Sequence, residues 1–227
     1  MIGKIKYLLF VLLLPVCAWA QSEKETDVGA FLALEFEKDL SRFFSLSMEE
    51  EIRFVSNNTG FDRSVTSVGV DYSLFDKRVK LGGYYAFMYL YNNDYWYEPR
   101  HRFYVNVSYK ESVGRYTLSW RGRLQSTYRD EDRGEYKINP KGVWKNKFEV
   151  DYALWGLPWK PFVSCEFSTL LNDPVAGWEF TRIRFQGGTT WRLDRTTYMN
   201  FTLRFDDYIA GKDPHVFSIG VTYKKNL

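Results

Sequence analysis

Two histidines, His101 and His215, are the only imidazoles in 227 residues. Such a base would serve ester or lipid hydrolysis if a hydroxyl stood within hydrogen-bond reach. Read as extended chain, both histidines fall on the apolar side of their segments, and each is followed on that side by a phenylalanine, Phe103 or Phe217. Ser218 falls on the opposite side. No nucleophile–base pair is legible within either segment, and the pattern favours histidines anchored at a membrane rim. Glu49, Glu50 and Glu51 form an acid cluster. A strand would split it, with Glu50 pointing away from the other two. The sugar-sized cleft that a pair of catalytic carboxylates needs is not indicated. Two histidines and one cysteine, Cys165, give no metal-ligand spacing. Phosphate-loop and dinucleotide fingerprints are absent. The expectation is a protein that is not an enzyme, with no catalytic residue, no metal and no cofactor.

What the sequence repeats instead is charge beside apolar bulk. In RYTLSWRGRLQSTYRD (115–130), strand geometry puts Arg115, Thr117, Ser119, Arg121, Arg123 and Gln125 on one face. Tyr116, Leu118, Trp120 and Leu124 share the other. The same alternation recurs along the chain. Phe44, Leu46, Met48, Ile52 and Phe54 stand opposite Ser45, Ser47, Glu49, Glu51 and Arg53. Phe148 and Val150 stand opposite Lys147, Glu149 and Asp151, and Phe201, Leu203 and Phe205 opposite Asn200, Thr202 and Arg204. Aromatic residues make up 19% of the chain, and they favour strands.

Eleven such segments can be counted. Their connections alternate in length. Lys38–Ser41, Phe75–Arg78, Glu111–Gly114, Gly156–Trp159 and Asp194–Arg195 are short, whereas Ser56–Arg63, Asn92–Pro99, Tyr128–Gly142, Asn172–Gly177 and Tyr208–Pro214 are long. Segments of about 10 residues, short turns at one end and long loops at the other predict an antiparallel transmembrane up-and-down β-barrel. A soluble lipocalin-like barrel has no reason to keep that asymmetry. Bacterial single-chain barrels have even strand numbers. The prediction is therefore about ten strands, with twelve open if the longest loop hides one and the first segment not a full strand.

In lipid the apolar face must point outward. Leu118, Trp120, Phe148, Phe201 and Ile219 are then lipid-facing. Glu49, Glu51, Arg102, Arg115, Arg121, Arg123, Asp151, Glu166, Arg182, Arg184 and Arg204 form a lumen charge network. Enclosed charges of both signs survive when paired, which favours a salt-bridged plug over a cationic patch for an anionic ligand. Tyr95, Trp96 and Tyr97 at one rim, with Trp155 and Trp159 at the other, suit aromatic girdles.

Residues 1–20 read as a signal peptide. Lys4 and Lys6 precede the apolar run Tyr7–Val16, and Ala18-Trp19-Ala20 is a cleavage site. That run is shorter than the ~20 residues a spanning helix needs. Removing residues 1–20 takes the formal net charge from +3 to +1, no basis for nucleic-acid binding. It also leaves Cys165 as a lone cysteine, so no disulfide framework exists. Residues 21–227 are expected to form one domain.

Several stretches together resemble an outer-membrane β-barrel family of unknown function, domain of unknown function 2490. They are FSLSMEEEIRF (44–54), YTLSWRGRLQ (116–125), VWKNKFEVDYAL (143–154), KPFVSCEFST (160–169), FTRIRFQGGTTWRLDR (180–195) and HVFSIGVTYK (215–224). The resemblance implies export to the outer membrane of a Gram-negative bacterium, and it brings no established activity or catalytic residues. Cys165 and the terminal Leu227 depart from it. The family tends to an aromatic or apolar residue at the first and a terminal aromatic at the second, and Tyr223 stands in as the insertion signal. The expected role is structural or one of surface interaction. The alternatives are a narrow pore for small polar or anionic solutes, and a lipid-modifying enzyme. Expected partners are outer-membrane lipids and the barrel-assembly machinery, with the ligand unknown, the state monomeric and both termini periplasmic.

Overall fold

The computed structural model describes residues 26–55, 60–92, 96–129, 138–210 and 214–227. The proposed signal peptide and Tyr95 lie outside them. Eleven strands run in chain order: β1 (Thr26–Asp39), β2 (Phe44–Val55), β3 (Gly60–Leu74), β4 (Val79–Asn92), β5 (Trp96–Val113), β6 (Tyr116–Arg129), β7 (Lys141–Tyr152), β8 (Trp159–Asp173), β9 (Gly177–Arg192), β10 (Thr197–Tyr208) and β11 (His215–Asn226). Each pairs antiparallel with the next, and the sheet closes on itself.

The closing contact is parallel. β1 runs alongside β11 in one continuous register from Thr26↔His215 to Glu37↔Asn226. This corrects two expectations. The first segment is a full barrel strand, so the number is eleven rather than ten or twelve. The even-number rule follows from antiparallel closure, and a parallel seam lifts it. With an odd number, Thr26 and Leu227 lie at opposite rims, so the barrel's two ends do not share a side. Leu227 donates its backbone N–H to the Glu37 carbonyl at 2.7 Å at the short-turn rim.

The turns are built by residues suited to them. Gly114, Gly156 and Gly177 take left-handed φ of 62°, 71° and 69°, where a side chain would be strained. The Asp194 carboxylate accepts the backbone N–H groups of Thr196 at 2.7 Å and Thr197 at 2.8 Å, fixing the β9–β10 turn. Hydrogen bonding to the charged form holds this carboxyl below the usual range.

Faces sort as period two requires. Phe148 and Ile219 are 52% and 54% exposed on the outside, whereas Glu166 and Arg204 inside are 5% and 7% exposed. Leu118 and Phe201 also stand exposed outside, and Trp120 lies outside against the bare backbone of Gly122. Tyr97 stacks on Tyr89 near the long-loop rim, with ring centroids 4.8 Å apart. Trp159 stacks on Trp191 near the other, at 5.1 Å. Glu50 does point outward, and Ser64 Oγ donates to it at 2.6 Å, as does Thr66 Oγ1. Two hydroxyls thus satisfy a carboxylate on an otherwise apolar wall.

Candidate functional site in the barrel lumen

Three aromatic shelves line the inner wall where glycines leave room. Tyr84 lies flat over Gly69 and Gly82, Phe31 over Gly220, and Phe162 over Gly188. A side chain at Gly69 or Gly220 would occupy the space of the ring, whereas one at Gly82 would also meet the Asp71 carboxylate and one at Gly188 would run into the backbone carbonyl of Phe201. Tyr84 also stacks on Tyr104 at 4.7 Å and donates to Asp71 at 2.6 Å. Cations then rest on the shelves. The Arg123 guanidinium sits 4.1 Å from the Tyr104 ring centre, and that of Arg204 sits 3.9 Å from Phe31.

Ion pairs occupy the middle of the lumen. Glu166 on β8 accepts from Arg121 of β6 and Arg182 of β9, each at 3.1 Å. Arg184 holds Asp206 in a two-pronged contact, Nη2 to Oδ2 at 3.0 Å, and Arg182 Nε stands 3.7 Å from Asp206. Glu51 takes Arg53 from its own strand and Arg204 from β10, the latter at 3.7 Å. Nearer the short-turn rim, Lys80 and Lys224 both engage Glu37, at 2.6 and 3.1 Å. Asp151 faces Lys160 at 3.4 Å.

Ten of the eleven residues assigned from sequence to the lumen line one central cavity of about 430 Å³: Glu49, Glu51, Arg102, Arg121, Arg123, Asp151, Glu166, Arg182, Arg184 and Arg204. Arg115 does not. It is exposed in the turn after Gly114, with its guanidinium 5.1 Å from the Trp155 ring. β6 begins at Tyr116, so the alternation that grouped Arg115 with Arg121 does not extend to it. Arg53, which alternation sets on the face of Glu49 and Glu51, lines the same cavity, as do Arg63 and Lys145, which sequence reasoning left out. Lys145 shares the parity of Lys147 and could have been read; Arg63 had been placed in a loop.

A second cavity, of about 740 Å³, lies toward the long-loop rim. Among the described residues it is lined by nine cations, Arg53, Arg63, Arg100, Arg102, Arg129, Lys141, Lys145, Arg182 and Arg204, against four acids, Asp27, Asp62, Glu179 and Asp206. That imbalance sets up a positive field within a low-dielectric wall.

Both histidines face outward. Tyr85 Oη and His101 Nδ1 are hydrogen-bonded at 2.8 Å, and His215 Nδ1 stands 3.2 Å from Asp207 Oδ1. No cluster of three or more metal-ligating side chains occurs among the described residues.

Apolar side chains outside, ion pairs inside and a sheet without edges define an all-β closed barrel of the outer-membrane type. The chain belongs to the family described as "Protein of unknown function (DUF2490)", whose model matches residues 28–224. No curated protein matches it. Among solved structures, the β domain of the Bordetella autotransporter BrkA is similar at 11% identity, with 78% of each chain covered and a TM-score of 0.42. The siderophore receptor PirA from Pseudomonas aeruginosa is similar at 12% identity and a TM-score of 0.34, over 82% of this chain and 36% of that one.

Proposed function

We propose that the protein is a monomeric barrel of the Gram-negative outer membrane, exported by its first 20 residues and inserted by the barrel-assembly machinery. It is closed by its own salt-bridged lumen and acts, without enzymatic chemistry, through what it holds and presents at the long-loop rim. The observation that carries this reading is the chain of ion pairs joining β6, β8, β9 and β10, with a further pair linking β10 to β2. Crosslinks of this kind between facing parts of the wall support a closed bore. Planar-bilayer recording of the purified protein tests it: no discrete conductance steps are expected, and regular steps would overturn closure. The cation excess of the outer cavity favours one second reading, a narrow pore for small anions. That reading requires steps whose reversal potential shifts toward anions in a salt gradient.

A further inference from the structure

Among the described residues the two lumen cavities share seven that line both, and six of them are cations: Arg53, Arg63, Arg102, Lys145, Arg182 and Arg204. The seventh is Phe31, and no acid is shared. The cations come from β2, β3, β5, β7, β9 and β10, so they reach inward from most of the circumference. They form a collar between the outer and the central cavity.

The collar is not neutralised by its own carboxylates. Arg53 and Arg204 share Glu51, Arg63 has its neighbour Asp62, and Arg182 has Glu166 and Asp206. Among the described residues Arg102 donates to a hydroxyl, Thr127 Oγ1, at 3.0 Å, and Lys145 makes no ion pair within 4 Å; the carboxylate that acts on it, Glu166, is already shared by Arg121 and Arg182. Lys145 is moreover the direct cross-strand neighbour of another cation, Arg123. Arg204, 7% exposed, keeps its buried Nε without an acceptor, as does Arg182. Buried donors and unpaired charges of this kind are costly unless a counter-charge supplies what the fold does not.

We propose that this collar is a binding site for a soluble polyvalent oxyanion, a solute carrying two or more phosphate charges, taken in from the outer cavity. Guanidinium groups present parallel N–H donors that match phosphate oxygens two at a time. A cluster of six cations facing two cavities suits a compact, multiply charged group better than a monovalent ion. A lipid phosphate is excluded as the source, because the sheet stands between the collar and any acyl chain. The inference rests on reading the protein as a membrane barrel with an enclosed lumen, and it holds whether or not that lumen conducts.

The test uses residues 21–227, folded in detergent, with inorganic pyrophosphate as the probe and sodium chloride at matched ionic strength as the reference. Saturable heat release by calorimetry and a raised unfolding midpoint are expected with pyrophosphate and not with chloride. The double variant Lys145→Gln/Arg102→Gln is expected to bind about ten-fold more weakly, the factor that loss of a charge-assisted hydrogen bond gives. Arg195→Gln, in the exposed β9–β10 turn, removes the same type of charge and is expected to bind like the parent. Both collar changes relieve like-charge crowding, so folding is expected to survive. Should the double variant fail to fold, the single variants carry the test, each expected to weaken binding. Pyrophosphate binding no stronger than chloride, or binding undiminished by the collar changes, would overturn the proposal. Binding is read in micelles and closure in bilayers, so failure of either is told apart from failure of the other.

Discussion

Arg204 on β10 and Glu51 on β2 meet at 3.7 Å although β11 and β1 lie between their strands. Both side chains are buried. The pair is therefore a chord across the curve of the wall rather than a rung of the sheet. Removing one partner of a buried pair leaves the other charge uncompensated. Glu51→Gln strips the carboxylate from Arg53 and Arg204 together. It is expected to destabilise the fold by about 3 kcal/mol. Urea unfolding in lipid vesicles, followed by the mobility of the unheated form on gels, measures this. A midpoint equal to the parent's would show that the chord contributes nothing.

Cys165 offers a direct reading of which face meets lipid. It alternates with buried Ser164 and Glu166 and pairs across the sheet with the exposed Phe148 and Phe185. A nitroxide attached there, in the chain from residue 21 onward, is expected to relax strongly with oxygen, which dissolves in lipid. A water-soluble nickel chelate is expected to relax it little. Dominant relaxation by the chelate would reverse the sidedness of the barrel.

The aromatic shelves predict a steric outcome. Gly220→Ala puts a methyl group where the Phe31 ring lies and so lifts the surface on which Arg204 rests. Overfilling of this kind costs about 1–3 kcal/mol. Gly83, beside the shelves in sequence, has open space around its missing side chain. Gly83→Ala is therefore expected to leave stability close to the parent's, and equal melting of the two variants would refute the shelf.

Asp194 sets a pH dependence at the short-turn rim. Its carboxyl is held down by the backbone N–H groups of Thr196 and Thr197, so its folded value lies below its unfolded one. The stability it contributes is full above the ordinary aspartate range of about 4 and fades as pH falls toward the folded value. Asp194→Ala should therefore unfold more easily than the parent at neutral pH, with the gap closing as pH is lowered through the acid range. A gap that is constant or widens in acid contradicts the assignment.

Alternation made the wall legible from sequence, because period two decides which face a residue takes. Arg121 and Arg123 inside with Leu118 and Trp120 outside follow from that alone. Glu50 broke the pattern, and its hydroxyl partners, Ser64 and Thr66, sit on the next strand, where no local window reaches. The same limit hid the closure. Face is a local property, whereas the choice of partner for β1 is settled by a strand some 190 residues away. Arg115 was misplaced because parity was carried through a turn. The collar was invisible for a different reason. Its six cations are spread over six strands, and only the stagger of the closed sheet brings them to one level.

The parallel seam has a consequence for the order of assembly. Every other strand pairing joins chain neighbours and can form once both are in place. The free edge of β1 must wait for β11, the last strand. Until then it shows a full row of unsatisfied backbone donors and acceptors, the kind of edge on which foreign strands add. β1 is thus the strand that needs a temporary companion longest, and the sheet stays an open ribbon until β11 docks against it.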